Sequence, residues 1–325
     1  MNALREHRYR VTRPLVLLIK IGVSLVLLGY LFHTTDLRAL LERIRQGDLL
    51  LLALAVLLYV CMIVLSTWRW RTLISAQGYD ASLRELSASY LVATFFNNFL
   101  PSNIGGDLVR VRDSSRLTGS RTTSLAIIAV DRILGFAALY ALAATAFLVG
   151  GGAVRHLAGA RVVLLGLSLL FALLAFLYFR EGTARVLMAR SGLARIPWLR
   201  GRFEVVQEAV HEYRRNLRAV LAAFGASLML QTLFIYYYFA IARSLRIPLP
   251  LTACFLMVPL CTLVQTIPVS FNGWGIRESV FVLYFSQVGL AKDSALAFSL
   301  LGAGLVVLLS LSGAVVWTSR ARQAA

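Results

Sequence analysis

Lysine is almost missing from this chain. Of its 33 basic residues only Lys20 and Lys292 are lysines, and acids are scarce too, at 15 Asp and Glu in 325 residues. Charged residues make up 15% of the chain, too few for a soluble domain of this length. Strand-like alternation is lacking, which argues against a β-barrel. The three cysteines, Cys61, Cys254 and Cys261, lie in apolar runs without metal-ligand spacing and read as small core residues. No G-x-S-x-G, H-E-x-x-H or P-loop occurs, and the four histidines are scattered, so neither an enzyme nor a cofactor is expected. Gly105-Gly106-Asp107 suggests an intramembrane aspartyl protease, but that pattern needs another glycine where Ile104 stands. It also needs a second catalytic aspartate, and Asp131 is followed by Arg132, which favours the ionised carboxylate.

What the chain has is apolar length. Hydrophobic residues make up 59%, in runs long enough for bilayer spans. The expected class is an all-α polytopic membrane protein forming one integral membrane domain over residues 1–325. The net charge of +18 then reflects arginines crowding cytoplasmic loops and gives no reason to expect nucleic acid. Arg5, Arg8, Arg10 and Arg13 precede the first span without a clear cleavage site, so no cleavable signal is expected.

Spans are expected over about Leu15 to Phe32, Leu49 to Thr67, Thr122 to Val149, Val162 to Phe179, Ala219 to Ala242 and Ala295 to Trp317. Trp68, Arg69, Trp70 and Arg71 read as an interfacial marker, and Tyr236, Tyr237 and Tyr238 as an aromatic belt. Residues 180–218 form a basic cytoplasmic loop, where Phe203, Val206, Val210 and Tyr213 have the spacing of a surface-lying helix. Loop charge places both termini in the cytoplasm.

Two segments break the pattern. The first reads Pro101-Ser-Asn-Ile-Gly-Gly-Asp-Leu-Val-Arg110, and the second reads Pro268-Val-Ser-Phe-Asn-Gly-Trp-Gly-Ile-Arg277. Proline removes a backbone donor and paired glycines permit a tight turn. Irregular backbone is tolerated at membrane depth only where protein or a water-filled cavity surrounds it. Each segment is therefore expected to sit in a re-entrant hairpin, over Leu86 to Leu117 and Leu251 to Gly289, and both to line one cavity. Two full spans per hairpin, making ten crossings instead of six, is the alternative. With six crossings, residues 15–150 and 161–318 have opposite orientations, as in the inverted repeats of secondary transporters.

The candidate substrate-binding residues are Pro101, Asn103, Gly105, Gly106, Asp107 and Arg110 in the first segment, and Asn272, Gly273, Gly275, Arg277 and Glu278 in the second. Asp131 and Arg132 join them. The N-terminus of a half-helix offers N–H groups to an anion, and arginine holds a phosphate bidentately. Asp131 falls near mid-span, where a charge costs roughly 2.5–3.5 kcal/mol, and is expected to face the cavity and pair with Arg110 or Arg277. Arg277 and Glu278, about 100° apart on a helix, are expected to find separate partners. Plainer readings are a solvated loop with Asp107 as N-cap, an outer-loop ion pair at Arg277, and an interfacial Asp131-Arg132.

Asn98-Phe-Leu-Pro-Ser-Asn-Ile-Gly-Gly-Asp-Leu-Val-Arg110, Asp131-Arg132 and Asn272-Gly-Trp-Gly-Ile-Arg-Glu278 together resemble the flippase-like membrane region of lysylphosphatidylglycerol synthases, over about Leu15 to Trp317. The resemblance implies an integral membrane domain that moves lipids between leaflets, as a stand-alone inner-membrane protein. The soluble aminoacyl-transferase domain of the two-part synthases is not expected in a chain that stops at Ala325. The function expected is translocation of an anionic phospholipid or lipid-linked headgroup, with membrane lipids as partners. The alternative is a scaffold for an enzyme of envelope or lipid biosynthesis, docked through residues 180–218.

Overall fold

The computed structural model describes residues 18, 20–100, 105–149, 159–179, 211–266 and 269–324. Among them there is no strand. The helices are α1 (Lys20–His33), α2 (Leu37–Arg45), α3 (Leu49–Ser75), α4 (Leu83–Phe99), α5 (Gly105–Thr118), α6 (Arg121–Val149), α7 (Ala160–Phe179), α8 (Leu217–Ser244), α9 (Leu251–Gln265), α10 (Ile276–Gln287) and α11 (Lys292–Ala324). Among the described residues, four segments are long and apolar enough to cross a membrane: α3, α6, α8 and Lys292–Arg320 of α11. Together with the shorter apolar helices, they make this an all-α polytopic membrane protein.

Local chemistry sets the helix ends. Asp36 accepts from the backbone N–H of Arg38 and Ala39, and Asp48 from Leu50 and Leu51, so each carboxylate satisfies donors that the first turn leaves orphaned. The broken helices are short. At 1.5 Å per residue α4, α5, α9 and α10 run roughly 26, 21, 22 and 18 Å, each below the roughly 30 Å of bilayer hydrocarbon. By the same rise, the 27 residues of α3 extend about 40 Å.

The packing of the two halves is mirrored. Among the described residues, α3 and α8 share the most extensive contact. α4 packs on α5 and against the distant α11, while α9 packs on α10 and against the distant α6. α5 leans on α6 as α10 leans on α11. Each hairpin thus lies against the long helix of the other half as well as its own. Gly313 of α11 has the Leu91 carbonyl of α4 so close that a methyl group there would overlap it. Ion pairs tether α11 at both ends: Asp293 to Arg43 of α2 at 3.3 Å, and Arg320 to Asp113 of α5 at 3.1 Å.

Several expectations change here. Tyr237 and Tyr238 form no belt: both are buried in an aromatic cluster with Phe234, Phe281 and Phe298, and Tyr237 donates to the Gly302 carbonyl. Only Tyr236 faces outward. Arg69 and Trp70 do not mark an interface either, because they are buried, while Trp68 on the other face is exposed. Cys254 and Cys261 are core residues, but Cys61 is exposed. Tyr213 lies buried against α3, its hydroxyl donating to the Leu73 carbonyl at 3.0 Å. Phe203, Val206 and Val210, with the rest of the basic loop over 180–210, lie outside the described residues.

Candidate functional site

The two broken segments meet. The Asn272 side-chain amide donates to the Asn98 carbonyl at 3.4 Å, so the hairpin tips touch across 174 residues of sequence. Beside this contact is a cavity of about 360 Å³, lined from both halves. Asn97, Asn98, Asp107, Arg110, Asp131 and Arg132 face it from the first half, and Gln265, Asn272, Trp274 and Arg277 from the second. Pro101 and Asn103 lie outside the described residues.

The first hairpin closes through close backbone approach. A methyl group on Gly106 would overlap the Ala93 carbonyl, so only glycine lets α5 start this near α4. The Gly106 N–H donates to Asn97 Oδ1 at 2.8 Å. The second hairpin turns through left-handed backbone: Asn272, Gly273 and Gly275 have φ of 51°, 76° and 85°. A side chain at Gly275 would also meet Leu27 of α1, at 2.7 Å. The Gly275 N–H donates to Glu278 Oε2 at 2.6 Å. At each half-helix start, then, one donor expected to face an anion is taken by a nearby side chain.

Five charged residues on three helices form the first cluster. Asp131 Oδ2 accepts from Arg110 Nη2 at 3.0 Å, and Asp131 Oδ1 makes an ionic contact with Arg69 Nε at 2.7 Å. Asp107 takes both Nε and Nη2 of Arg132, at 2.8 and 2.9 Å, and lies 3.5 Å from Arg110 Nη1. Arg110 stacks on Trp70 and Tyr90, its guanidinium carbon 4.5 and 5.3 Å from the ring centres. These contacts remove Arg110 from solvent and make Asp107 an ion-pair partner. Of the two partners expected for Asp131, the structure selects Arg110 and adds Arg69. Gly135, four residues after Asp131 on α6, leaves room for the Arg69 guanidinium, 3.7 Å from where a Cβ would stand.

The second cluster is smaller. Arg277 Nε donates to Glu278 Oε1 at 2.9 Å and to Ser299 Oγ of α11 at 3.2 Å, and Nη2 also donates to Glu278 Oε1. The guanidinium stacks on Trp274 at 4.7 Å. The expectation of separate partners fails because the Arg277 side chain is long enough to curl back along the helix to its neighbour. Glu278 is fixed between that guanidinium, the Ser299 hydroxyl and the Gly275 N–H.

Access divides the arginines. Side-chain exposure is 4% for Arg110 and 8% for Arg69, against 44% for Arg132 and 12% for Arg277. All four line the cavity, with Arg132 by far the most exposed and Arg277 only slightly more exposed than Arg69.

The sequence matches a known family. Residues 17–313 fit the model of the lysylphosphatidylglycerol synthase TM region. The chain belongs to that family. It is also similar to a UPF0104 membrane protein of Pyrococcus horikoshii, 28% identical over 121 residues. That match covers 36% of this chain and 36% of the archaeal protein, so the chain spans about a third of the length of the curated relative it matches. The family is defined here by its membrane region, which this chain has.

Proposed function

We propose that this protein moves an anionic phospholipid or lipid-linked headgroup between leaflets of a bacterial inner membrane, acting as a translocator without catalysing a reaction. The observation that carries the reading is the single cavity receiving Arg132 from one half and Arg277 from the other. A guanidinium in hydrocarbon is costly unless it is paired or serves a pathway, and intramembrane ionisable residues commonly mark substrate routes. The headgroup phosphate would sit between Arg132 and Arg277, with Arg110 and Arg69 as fixed counterions and the acyl chains left in lipid.

The mirrored packing supports an inverted repeat of residues 15–150 and 161–318, with the site between the halves. The shortness of α4, α5, α9 and α10 supports re-entrant hairpins over full spans. Loop charge favours cytoplasmic termini. A scaffold role would use the basic loop 180–218, of which residues 180–210 lie outside the described part.

The test is a headgroup-exposure assay in vesicles reconstituted with purified protein. We expect anionic phospholipid to become accessible faster than in protein-free vesicles. An Arg132→Gln, Arg277→Gln variant that keeps its thermal stability should lose at least about tenfold, the rate equivalent of roughly 1.4 kcal/mol. Exposure at the wild-type rate by that variant would reject the mechanism.

A further inference from the structure

The charges and neutral polar groups of the cavity narrow the ligand further. Four arginines, Arg69, Arg110, Arg132 and Arg277, face three carboxylates, Asp107, Asp131 and Glu278. Among the described residues the cluster therefore carries one excess positive charge. Every carboxylate is already engaged: Asp131 by Arg69 and Arg110, Asp107 by Arg132 and Arg110, Glu278 by Arg277. An ammonium entering the cavity would find no spare anion and would add to a positive excess, which is expensive in a low-dielectric interior.

The neutral lining points the same way. Tyr59, Tyr90 and Tyr238 line the cavity, and their hydroxyls have no hydrogen-bond partner among the described residues, although Tyr59 and Tyr238 are otherwise buried. Ser66 and Gln231 also line it without a hydrogen-bond partner among the described residues, and Gln231 lies at the middle of the 28-residue α8. Hydroxyl and amide groups both donate and accept, as a polyol requires, and a polar group left unmatched in hydrocarbon is costly.

Resting on the translocator reading, we infer that the ligand is a lipid phosphodiester bearing an uncharged, hydroxyl-rich headgroup, either glycerol or a sugar. Its single negative charge balances the cavity, and its hydroxyls meet Tyr59, Tyr90, Tyr238, Ser66 and Gln231. An aminoacylated headgroup, such as that of lysylphosphatidylglycerol, is disfavoured by its ammonium groups.

The test compares lipids on the purified full chain. Phosphatidylglycerol, a polyprenyl phosphosugar, lysylphosphatidylglycerol, phosphatidylethanolamine and phosphatidic acid would be measured for binding by native mass spectrometry and for headgroup exposure in vesicles. At least one hydroxylated phosphodiester should bind about tenfold more tightly than the amine-bearing lipids and phosphatidic acid, and the better of glycerol and sugar identifies the source. Gln231→Leu should erase that preference while leaving thermal stability unchanged. Equal or tighter binding of lysylphosphatidylglycerol overturns the inference and leaves translocation intact. Phosphatidic acid matching phosphatidylglycerol overturns the polyol requirement. If no lipid binds or moves, the translocator reading falls and this inference with it.

Discussion

The two hairpins carry the same Pro–Gly–Arg pattern but are wired differently. In the first, Arg110 of α5 is bound to Asp131 of α6, which also holds Arg69 of α3, so three helices are joined by one buried network. In the second, Arg277 is held mainly by Glu278, the next residue on the same helix, with one further bond to Ser299 of α11. Removing one member of the first network leaves charges stranded between helices. Removing a member of the second disturbs chiefly one helix start. The first hairpin is thus built as a fixed wall and the second as a semi-independent element, although both present an arginine to the same space.

The sharpest way to break this contrast is Asp131→Ala. It strands Arg69 and Arg110, and loss of one partner in a buried ion pair typically costs about 3–5 kcal/mol. A large fall in the thermal midpoint of the detergent-solubilised protein is expected. Glu278→Ala should cost less, because it strands one buried guanidinium, Arg277, where Asp131→Ala strands two. Its fall in thermal midpoint should be the smaller of the two, and a larger one would erase the proposed difference between the hairpins.

Gly106→Val comes next. It drives a side chain into the Ala93 carbonyl and should cost about 1–3 kcal/mol through overpacking. Gly289→Ala is the control on a glycine with open surroundings: its φ of 74° gives backbone strain but no clash, so its loss of midpoint should be smaller. The smallest effect belongs to Arg320→Ala. Its pair with Asp113 is partly exposed, and such pairs contribute about 0–1 kcal/mol. A midpoint shift as large as that of Glu278→Ala would mean that the end of α11, not the hairpin cores, governs stability.

Much of this contrast was legible in the sequence, and what was not has physical reasons. The apolar runs give the helical membrane class, and the cost of a mid-span charge identifies Asp131 as needing partners. The meeting of Asn98 and Asn272 follows from reading two breaks as one cavity. Arg69 was missed because Trp68-Arg69-Trp70-Arg71 has the composition of an interface. Helix α3 continues to Ser75, and its rotation turns Arg69 and Trp70 inward while Trp68 faces out. The tyrosine triplet misleads similarly, since three aromatics in a row must point to different sides of a helix, two of them here inward. The Arg277–Glu278 pair was hidden by treating side chains as rigid spokes. Arg132 drew attention only as the neighbour of Asp131, yet it is the most exposed of the four arginines.

The central claim is that segments far apart in sequence close around one site. It is tested most directly by placing single cysteines at Asn98 and Asn272, in a chain with Cys61, Cys254 and Cys261 replaced by serine or alanine, and adding a short-reach thiol crosslinker to native membranes. The contact between Asn98 and Asn272 predicts efficient intramolecular crosslinking of the double variant, and none for either single variant. Failure of the double variant to crosslink, while both cysteines still react with a small maleimide, would contradict the account.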